Sequence, residues 1–189
     1  MAKTAKKKAA FLGVEADLVV GLDLSLESPG WALWNKLTGL YDSGFIDVKK
    51  LKIDGMPRLR LIRTYLIEIL AKVNKPDDKI VVFIEGYAFA AKGRGVISLG
   101  ELGGVIRLHI TDNGGKFFEI PPSSLKKFIM GKGTGDKAVM LKDLYKRYGH
   151  DINQNDEGDA VCLVELGRAC LGIPSKPLVQ FQQEVLSAL

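Results

Sequence analysis

An α/β fold is predicted: one mixed, five-stranded sheet with helices on both faces. Three observations point to it. Three short apolar segments joined by tight turns come first and read as an antiparallel meander. Two further strands then alternate with helical stretches, the pattern of a layered α/β domain. The stronger of these, residues 79–85 (Lys-Ile-Val-Val-Phe-Ile-Glu), is apolar almost throughout, as expected of a strand covered on both faces. A chain of 189 residues, 47% of them hydrophobic, is long enough for one such domain and short for two. At this size roughly 70% of the unfolded chain's surface can be buried in a single core.

The elements follow in order. Residues 17–25 form a mostly buried strand that ends in polar residues. Ser28-Pro29-Gly30 turns the chain into a second strand at 31–36, and Thr38-Gly39 turns it again into a third at 41–48. Pro57 then opens a helix with Leu59, Ile62, Leu66, Ile69 and Leu70 on one face. Asn74-Lys75-Pro76-Asp77 stops it before the strand at 79–85. Residues 96–111 are helical by period, and Asn113-Gly114-Gly115 breaks that helix before a strand at 116–120. A helix through Ile129, a glycine loop at 131–135, a charged helix to Tyr148 and a long helix at 155–171 complete the domain. Three units are expected: a flexible basic tail at 1–16, the domain itself at 17–175, and a C-terminal extension at 176–189 that forms a short appended helix.

Composition excludes several classes. Mean hydropathy is +0.08 and no apolar run approaches the roughly 18–20 residues that span a bilayer, so no membrane partner is expected. Cys162 and Cys170 share one helix, about 12 Å apart, beyond the roughly 4.4–6.8 Å Cα spacing of a disulfide. Free thiols and a reducing compartment follow. The first residues lack both the apolar core of a signal peptide and the Arg-rich pattern of a transit peptide, so a cytoplasmic protein is expected (in a bacterial host cell, if phage-encoded). Formal charge is +5, and Lys3, Lys6, Lys7 and Lys8 supply four of it with no acid among the first ten residues. Such a tail suits a polyanion, and equally a solvated end. The remaining body is nearly neutral and keeps many acids.

Four acids stand out. Asp23 lies in an apolar strand, where an unpartnered charge is costly to bury. Glu85 ends the strongest strand. If the two strands are parallel neighbours, both carboxylates emerge at one sheet edge, where open α/β sheets place their ligands. Asp156 and Asp159, three apart at a helix start, share a face and complement the helix dipole. Together the four would repel one another and raise their own pKa values unless a cation neutralised them. Oxygen-only donors select Mg²⁺ or Mn²⁺, and ligands from two strands and a helix can hold two ions, an arrangement that suits in-line displacement at phosphate. Each acid also has a plain structural role available: a turn acid at Asp23, a surface ion pair at Glu85, an N-cap and first-turn acid at Asp156 and Asp159. Glu157 falls on another face and reads as a solvated first-turn acid.

Here the sequence resembles a known family, the RuvC-type Holliday junction resolvases of the ribonuclease H-like superfamily, and more closely its phage-like members. Gly21-Leu22-Asp23-Leu24-Ser25 with Gly30-Trp31-Ala32 resembles the first family motif. Residues 82–85 with Tyr87-Ala88-Phe89-Ala90-Ala91-Lys92 and Leu99-Gly100-Glu101 resemble the second. Residues 126–137 are similar to the segment before the third, and Asp156-Glu157-Gly158-Asp159-Ala160-Val161 to the last. The matches run in family order over residues 18–171. One departure is Leu24-Ser25, where bacterial members commonly carry Pro-Gly. The resemblance implies a ribonuclease H-like fold and a homodimeric, Mg²⁺- or Mn²⁺-dependent endonuclease that cuts four-way (Holliday) DNA junctions, leaving a 5′-phosphate and a 3′-hydroxyl. It assigns Asp23, Glu85, Asp156 and Asp159 as metal-binding catalytic carboxylates, and Lys126 and Lys137 as basic residues near the scissile phosphate, Lys137 also as catalytic.

Two segments suit DNA. Residues 86–95 carry Tyr87, Phe89, Lys92, Arg94 and three glycines, and a basic loop with an aromatic can follow a phosphate backbone and wedge an unpaired base. Tyr87 and Phe89 compete for the wedge; a surface loop with one aromatic tucked inward is the alternative. Residues 131–137 fail as a Walker A loop, because Asp136 follows Gly135 where Lys is required, but their amides with Lys132 and Lys137 suit a DNA phosphate. The helix carrying Gly100, Gly103 and Gly104 packs either across a dimer or within the monomer. Arg58, Arg60 and Arg63 read as a solvated face, and His109 and His150 are assigned no ligand role. The rival functions are a ribonuclease H-like nuclease of broader branched-DNA or RNA–DNA hybrid specificity, and a noncatalytic DNA-binding member of the fold.

Overall fold

In the computed structural model of the chain, residues 11, 13–73, 79–86 and 94–189 are described, those at 72, 73 and 94 by backbone alone. The elements are β1 (Leu18–Asp23), β2 (Gly30–Asn35), β3 (Tyr41–Phe45), a 3₁₀ turn (Lys49–Leu51), α1 (Gly55–Val73), β4 (Ile80–Glu85), α2 (Arg94–Asp112), β5 (Lys116–Ile120), α3 (Pro122–Met130), α4 (Lys137–Tyr148), α5 (Asn155–Cys170) and α6 (Gln180–Ala188). The sheet order is β3-β2-β1-β4-β5. Strand β2 runs antiparallel to β1 and β3, whereas β4 runs parallel to β1 and β5. The expected mixed five-stranded sheet is therefore present.

The pleat sorts β1 and β4 between two cores. Leu18, Val20, Leu22, Val82 and Ile84 pack with Leu59, Ile62 and Leu66 of α1 and Leu102, Ile106 and Ile110 of α2. Val19, Val81 and Phe83 pack on the opposite face, against α3, α4, α5 and α6. Side chains alternate along a strand, so Gly21, Asp23 and Glu85 belong to this second face. Leu22 pairs with Ile84, and the next step of the same parallel register sets Asp23 beside Glu85.

Helix α5 crosses that face and is buried from Gly158 to Gly167. It sits unusually close to the sheet. A Cβ on Gly21 would overlap the carbonyl oxygen of Ala160, and one on Gly30 the carbonyl of Asp156. Glycine at both positions lets the helix backbone descend onto β1 and β2, and thereby fixes the height of its N-terminal acids above the sheet edge.

Three expectations need correction. Phe11 is not part of a free tail: its ring lies 4.8 Å from that of Phe118, while Ala16 is buried and Glu15 pairs with Lys79. An apolar ring beside an open core is driven into it, so the domain begins by residue 11. The C-terminal helix is likewise integral rather than appended. Gln182 is fully buried, donating to the Phe128 carbonyl at 3.0 Å and to the Tyr148 hydroxyl at 2.9 Å, and Val185 joins the second core. The third strand ends at Phe45 instead of 48, because the N–H groups of Ile46 and Val48 turn back to the carbonyls of Pro29 and Glu27.

Cys162 and Cys170 are both free, as expected. Buried Glu165 in mid-α5 accepts from Ser175 and lies 3.1 Å from His150 Nε2 and 3.8 Å from Arg168, whose guanidinium stacks 3.9 Å over the Trp34 ring. A buried carboxylate must be partnered, and this one ties the segments after α4 and α5 to the helix. Among the described residues, no helix is long and apolar enough to cross a membrane.

Candidate active site

Strands β1 and β4 deliver Asp23 and Glu85 to one edge of the sheet, and the first turns of α5 bring Asp156 and Asp159 over them. Asp23, Glu85 and Asp159 each place a carboxylate oxygen within 4.8 Å of the other two. Asp23 and Asp159 are buried and Glu85 is partly so. Asp156 stands at the margin of this trio, outside the 4.8 Å group, with Oδ1 3.6 Å from Lys137 Nζ. Lys137, the first residue of α4, donates to Asp159 Oδ2 at 2.8 Å. Asp136 caps that helix by accepting from the Ala138 N–H, which fixes where the lysine departs.

The electrostatics are those of a site short of positive charge. Burial, reinforced by Glu85, Asp159 and Asp156, pushes the Asp23 carboxyl well above its ordinary range. Burial and Asp159 raise Glu85, against a side-chain hydrogen bond from Asp23 and the charges of Lys137 and Lys126. Burial also raises Asp159, despite the Lys137 hydrogen bond. Lys137 is raised in turn: burial opposes its charge, but Asp159, Asp23 and Asp156 outweigh it. Lys137, helped by Lys126, thus offsets only part of the charge of four carboxylates.

Donor chemistry and charge deficit together fit a hard divalent cation. All the converging atoms are carboxylate oxygens, the preference of Mg²⁺ and Mn²⁺ rather than of softer metals, and a cation would supply the positive charge the cluster lacks. Asp23, Glu85 and Asp159 would hold it, with Asp156 alongside.

A consequence for stability follows. Acids with raised folded-state pKa values stabilise the fold below their unfolded values, near 4, and that contribution is lost as pH rises through the folded values. Asp23→Asn is therefore expected to be more stable than the wild type at pH 7 in chelator, by on the order of 1 kcal/mol, or about 2–4 °C in Tm for a domain of this size. The difference should vanish near pH 4 and reverse on adding Mg²⁺. Thermal melts at the two pH values check it; equal midpoints at pH 7 would contradict a self-repelling cluster.

Of the residues singled out by sequence, the structure brings together Asp23, Glu85, Asp159 and Lys137, with Asp156 at the rim and Lys126 of α3 close enough to influence Glu85 and Asp159. Lys132 is exposed in the loop between α3 and α4. Tyr87, Phe89 and Lys92 lie outside the described residues, and Arg94 is described only as the first backbone position of α2. Glu157 is not the solvated acid expected: it accepts from Ser43 Oγ at 2.8 Å. Two contacts carry no local signal in the sequence: the hydroxyls of Ser28, which reads there only as a turn residue, and of Ser43 reach Asp156 and Glu157.

Residues 19–164 match the family model described as crossover junction endodeoxyribonuclease RuvC. The chain is 31% identical over 149 residues to the crossover junction endodeoxyribonuclease RuvC of Brachyspira hyodysenteriae, covering 77% of this chain and 90% of that one. It is 30% identical over 128 residues to the protein of the same description from Halothermothrix orenii, covering 66% of this chain and 74% of that one. Among solved structures, Thermus thermophilus RuvC superposes with a TM-score of 0.63 at 15% identity, over 82% of this chain and 97% of that one. The same protein in complex with Holliday junction substrate gives 0.64 at 14%, over 82% and 96%. The last two establish the fold, an α/β sheet of ribonuclease H-like type. With the matched segment running from the strand that ends in Asp23 through the helix that carries Asp156 and Asp159, this chain belongs to the RuvC family of crossover junction endodeoxyribonucleases.

Proposed function

We propose that the protein is a structure-selective endonuclease that resolves four-way DNA junctions by divalent-metal-dependent hydrolysis of phosphodiesters. The observation that carries this reading is the convergence of Asp23, Glu85 and Asp159 within 4.8 Å at one sheet edge, in a chain whose relatives are junction endonucleases by description. Those three, with Asp156, are the ligands of Mg²⁺ or Mn²⁺, two ions in each site. When bound, such ions polarise the phosphate and favour deprotonation of the attacking water. Attack at phosphorus breaks the bond to the 3′-oxygen and leaves a 3′-hydroxyl and a 5′-phosphate.

The chain's own groups do the rest. Lys137, 43% exposed and already bound to Asp159, is among the described residues the cation seated against the carboxylates and can turn from Asp159 to a phosphate oxygen. Lys126 adds positive charge from α3, and Lys132 extends it along the exposed loop. Tyr87, Phe89, Lys92 and Arg94 follow Glu85 directly in sequence and contact the junction arms or wedge its centre. Junction shape and deformability dominate selection, and binding falls steeply with salt.

The second strand needs a second site. On α2, Ile97 and Leu108 are exposed at 68% and 62%, and a Cβ on Gly100 or Gly104 would meet open space. Gly103 is buried within the monomer, but among the described residues nothing covers Gly100 or Gly104, which supports this exposed face of α2 as the homodimer contact. Leu108→Glu is expected to raise the dimer dissociation constant at least about 100-fold, a cost of roughly 3 kcal/mol, and to leave single nicks in place of paired cuts. Sedimentation and a product gel check it; an unaltered dimer would remove α2 from the interface.

Cleavage of a synthetic four-way junction, a Y-fork and an RNA–DNA hybrid, each with Mg²⁺ and with chelator, tests the function as a whole. Paired, symmetric cuts in the junction, abolished by chelator, are expected. Preference for the hybrid or equal cutting of the fork would favour the broader nuclease.

A further inference from the structure

The loop between β1 and β2 reaches over the sheet edge and touches the first turn of α5. Ser28 in that loop donates its hydroxyl proton to Asp156 Oδ2. The loop is itself braced: the N–H groups of Glu27 and Ser28 both donate to Ser25 Oγ, at 3.3 and 3.2 Å. Next to it Gly30 backs onto the Asp156 carbonyl, and Ser43 of β3 holds Glu157. The backbone and both acids of this turn are therefore fixed from the β1–β3 side, independently of the trio.

Asp156 needs such a hold more than its neighbours do. Asp159 is buried and gripped by Lys137 at 2.8 Å, and Asp23 and Glu85 contact each other. Asp156 is partly exposed and at 3.6 Å its contact with Lys137 is loose. A carboxylate in that setting turns freely about its last bond. A hydroxyl bound to Oδ2 removes that freedom and leaves Oδ1 on the Lys137 side, towards the other acids. It does so without adding positive charge that would compete with a cation.

We propose that Ser28 is a positioning residue that acts through Asp156 to set the affinity of the carboxylate cluster for divalent cations. The inference rests on the reading of Asp156 as a cation ligand. Outer partners of metal-ligating side chains typically account for 10–100-fold in affinity. Ser28→Ala in the full chain should therefore bind Mn²⁺ about 10-fold more weakly than the wild type, measured with the metal alone by electron paramagnetic resonance titration. Ser28→Thr, which keeps the hydroxyl, should stay within about 3-fold of the wild type. The melting midpoint of Ser28→Ala in chelator should match the wild type, which separates positioning from folding.

Asp156→Asn completes the test. It should weaken Mn²⁺ binding, and adding Ser28→Ala to it should cost nothing more, since coupled residues are not additive. Wild-type affinity in Ser28→Ala beside a weakened Asp156→Asn would overturn the role of the serine alone. An undiminished Ser28→Ala effect in the Asp156→Asn background would show that the serine acts elsewhere, and loss in Ser28→Thr equal to that in Ser28→Ala would dismiss the hydroxyl. Full affinity in Asp156→Asn would remove Asp156 as a ligand, and the proposal with it.

Discussion

Asp23→Asn and Asp159→Asn are each expected to abolish junction cleavage, a loss of at least about 10³-fold, while leaving junction binding within a few-fold of the wild type. The two substitutions keep shape and remove one negative charge from a cluster whose ligand oxygens converge within 4.8 Å. The charge on bound cations is worth several kcal/mol in the transition state of phosphate hydrolysis, and each 1.4 kcal/mol or so is tenfold in rate. DNA binding draws instead on lysines and on the backbone amides around them, and Asp159→Asn keeps a side-chain oxygen to which Lys137 can still donate. A nicking assay beside a mobility-shift titration separates the two effects. A fully active variant at either position would refute the assignment of the cluster.

The second large effect concerns structure. Gly30→Ala should destabilise the protein by about 3 kcal/mol or more and lower Tm by roughly 6–12 °C, because its new methyl group would occupy the space of the Asp156 carbonyl. Gly21→Ala should behave similarly against Ala160. In both cases the obstacle is helix backbone and not the end of a flexible side chain, so relief requires α5 to lift from the sheet. That movement carries Asp156 and Asp159 away from Asp23 and Glu85. Cleavage should fall even at temperatures where the variant remains folded. Melting curves and rates measured well below the midpoint test both parts, and a Gly30→Ala protein with wild-type stability would show that α5 does not depend on this close approach.

Much of this was legible in the primary structure. An apolar strand ending in Asp23 and another ending in Glu85 signal two buried acids, and once the strands are parallel neighbours the pleat puts both on one face. The spacing of Asp156 and Asp159 at a helix start completes the convergence. What escaped depends on contacts between distant parts of the chain. Ser28 reads as a turn residue before Pro29-Gly30, and nothing local signals that its hydroxyl meets an acid 128 residues later. Gly21 and Gly30 are visible as part of a motif, yet the reason for them is a helix backbone resting above. Phe11 and the face of α6 are short apolar signals beyond the apparent domain limits, and only the open side of the core explains their burial. Glu165 carried a usable clue, a carboxylate in an otherwise apolar helix, which demands partners that His150, Ser175 and Arg168 supply.

The central claim is that four acids, supplied by two strands and one helix, form a seat for divalent cations. Anomalous scattering from a crystal of the protein equilibrated with Mn²⁺ tests it most directly. The predicted result is a strong peak within about 2.5 Å of carboxylate oxygens of Asp23, Glu85 and Asp159, with Asp156 directed towards it. No peak between those side chains at saturating Mn²⁺, or one bound only elsewhere on the surface, would contradict the account.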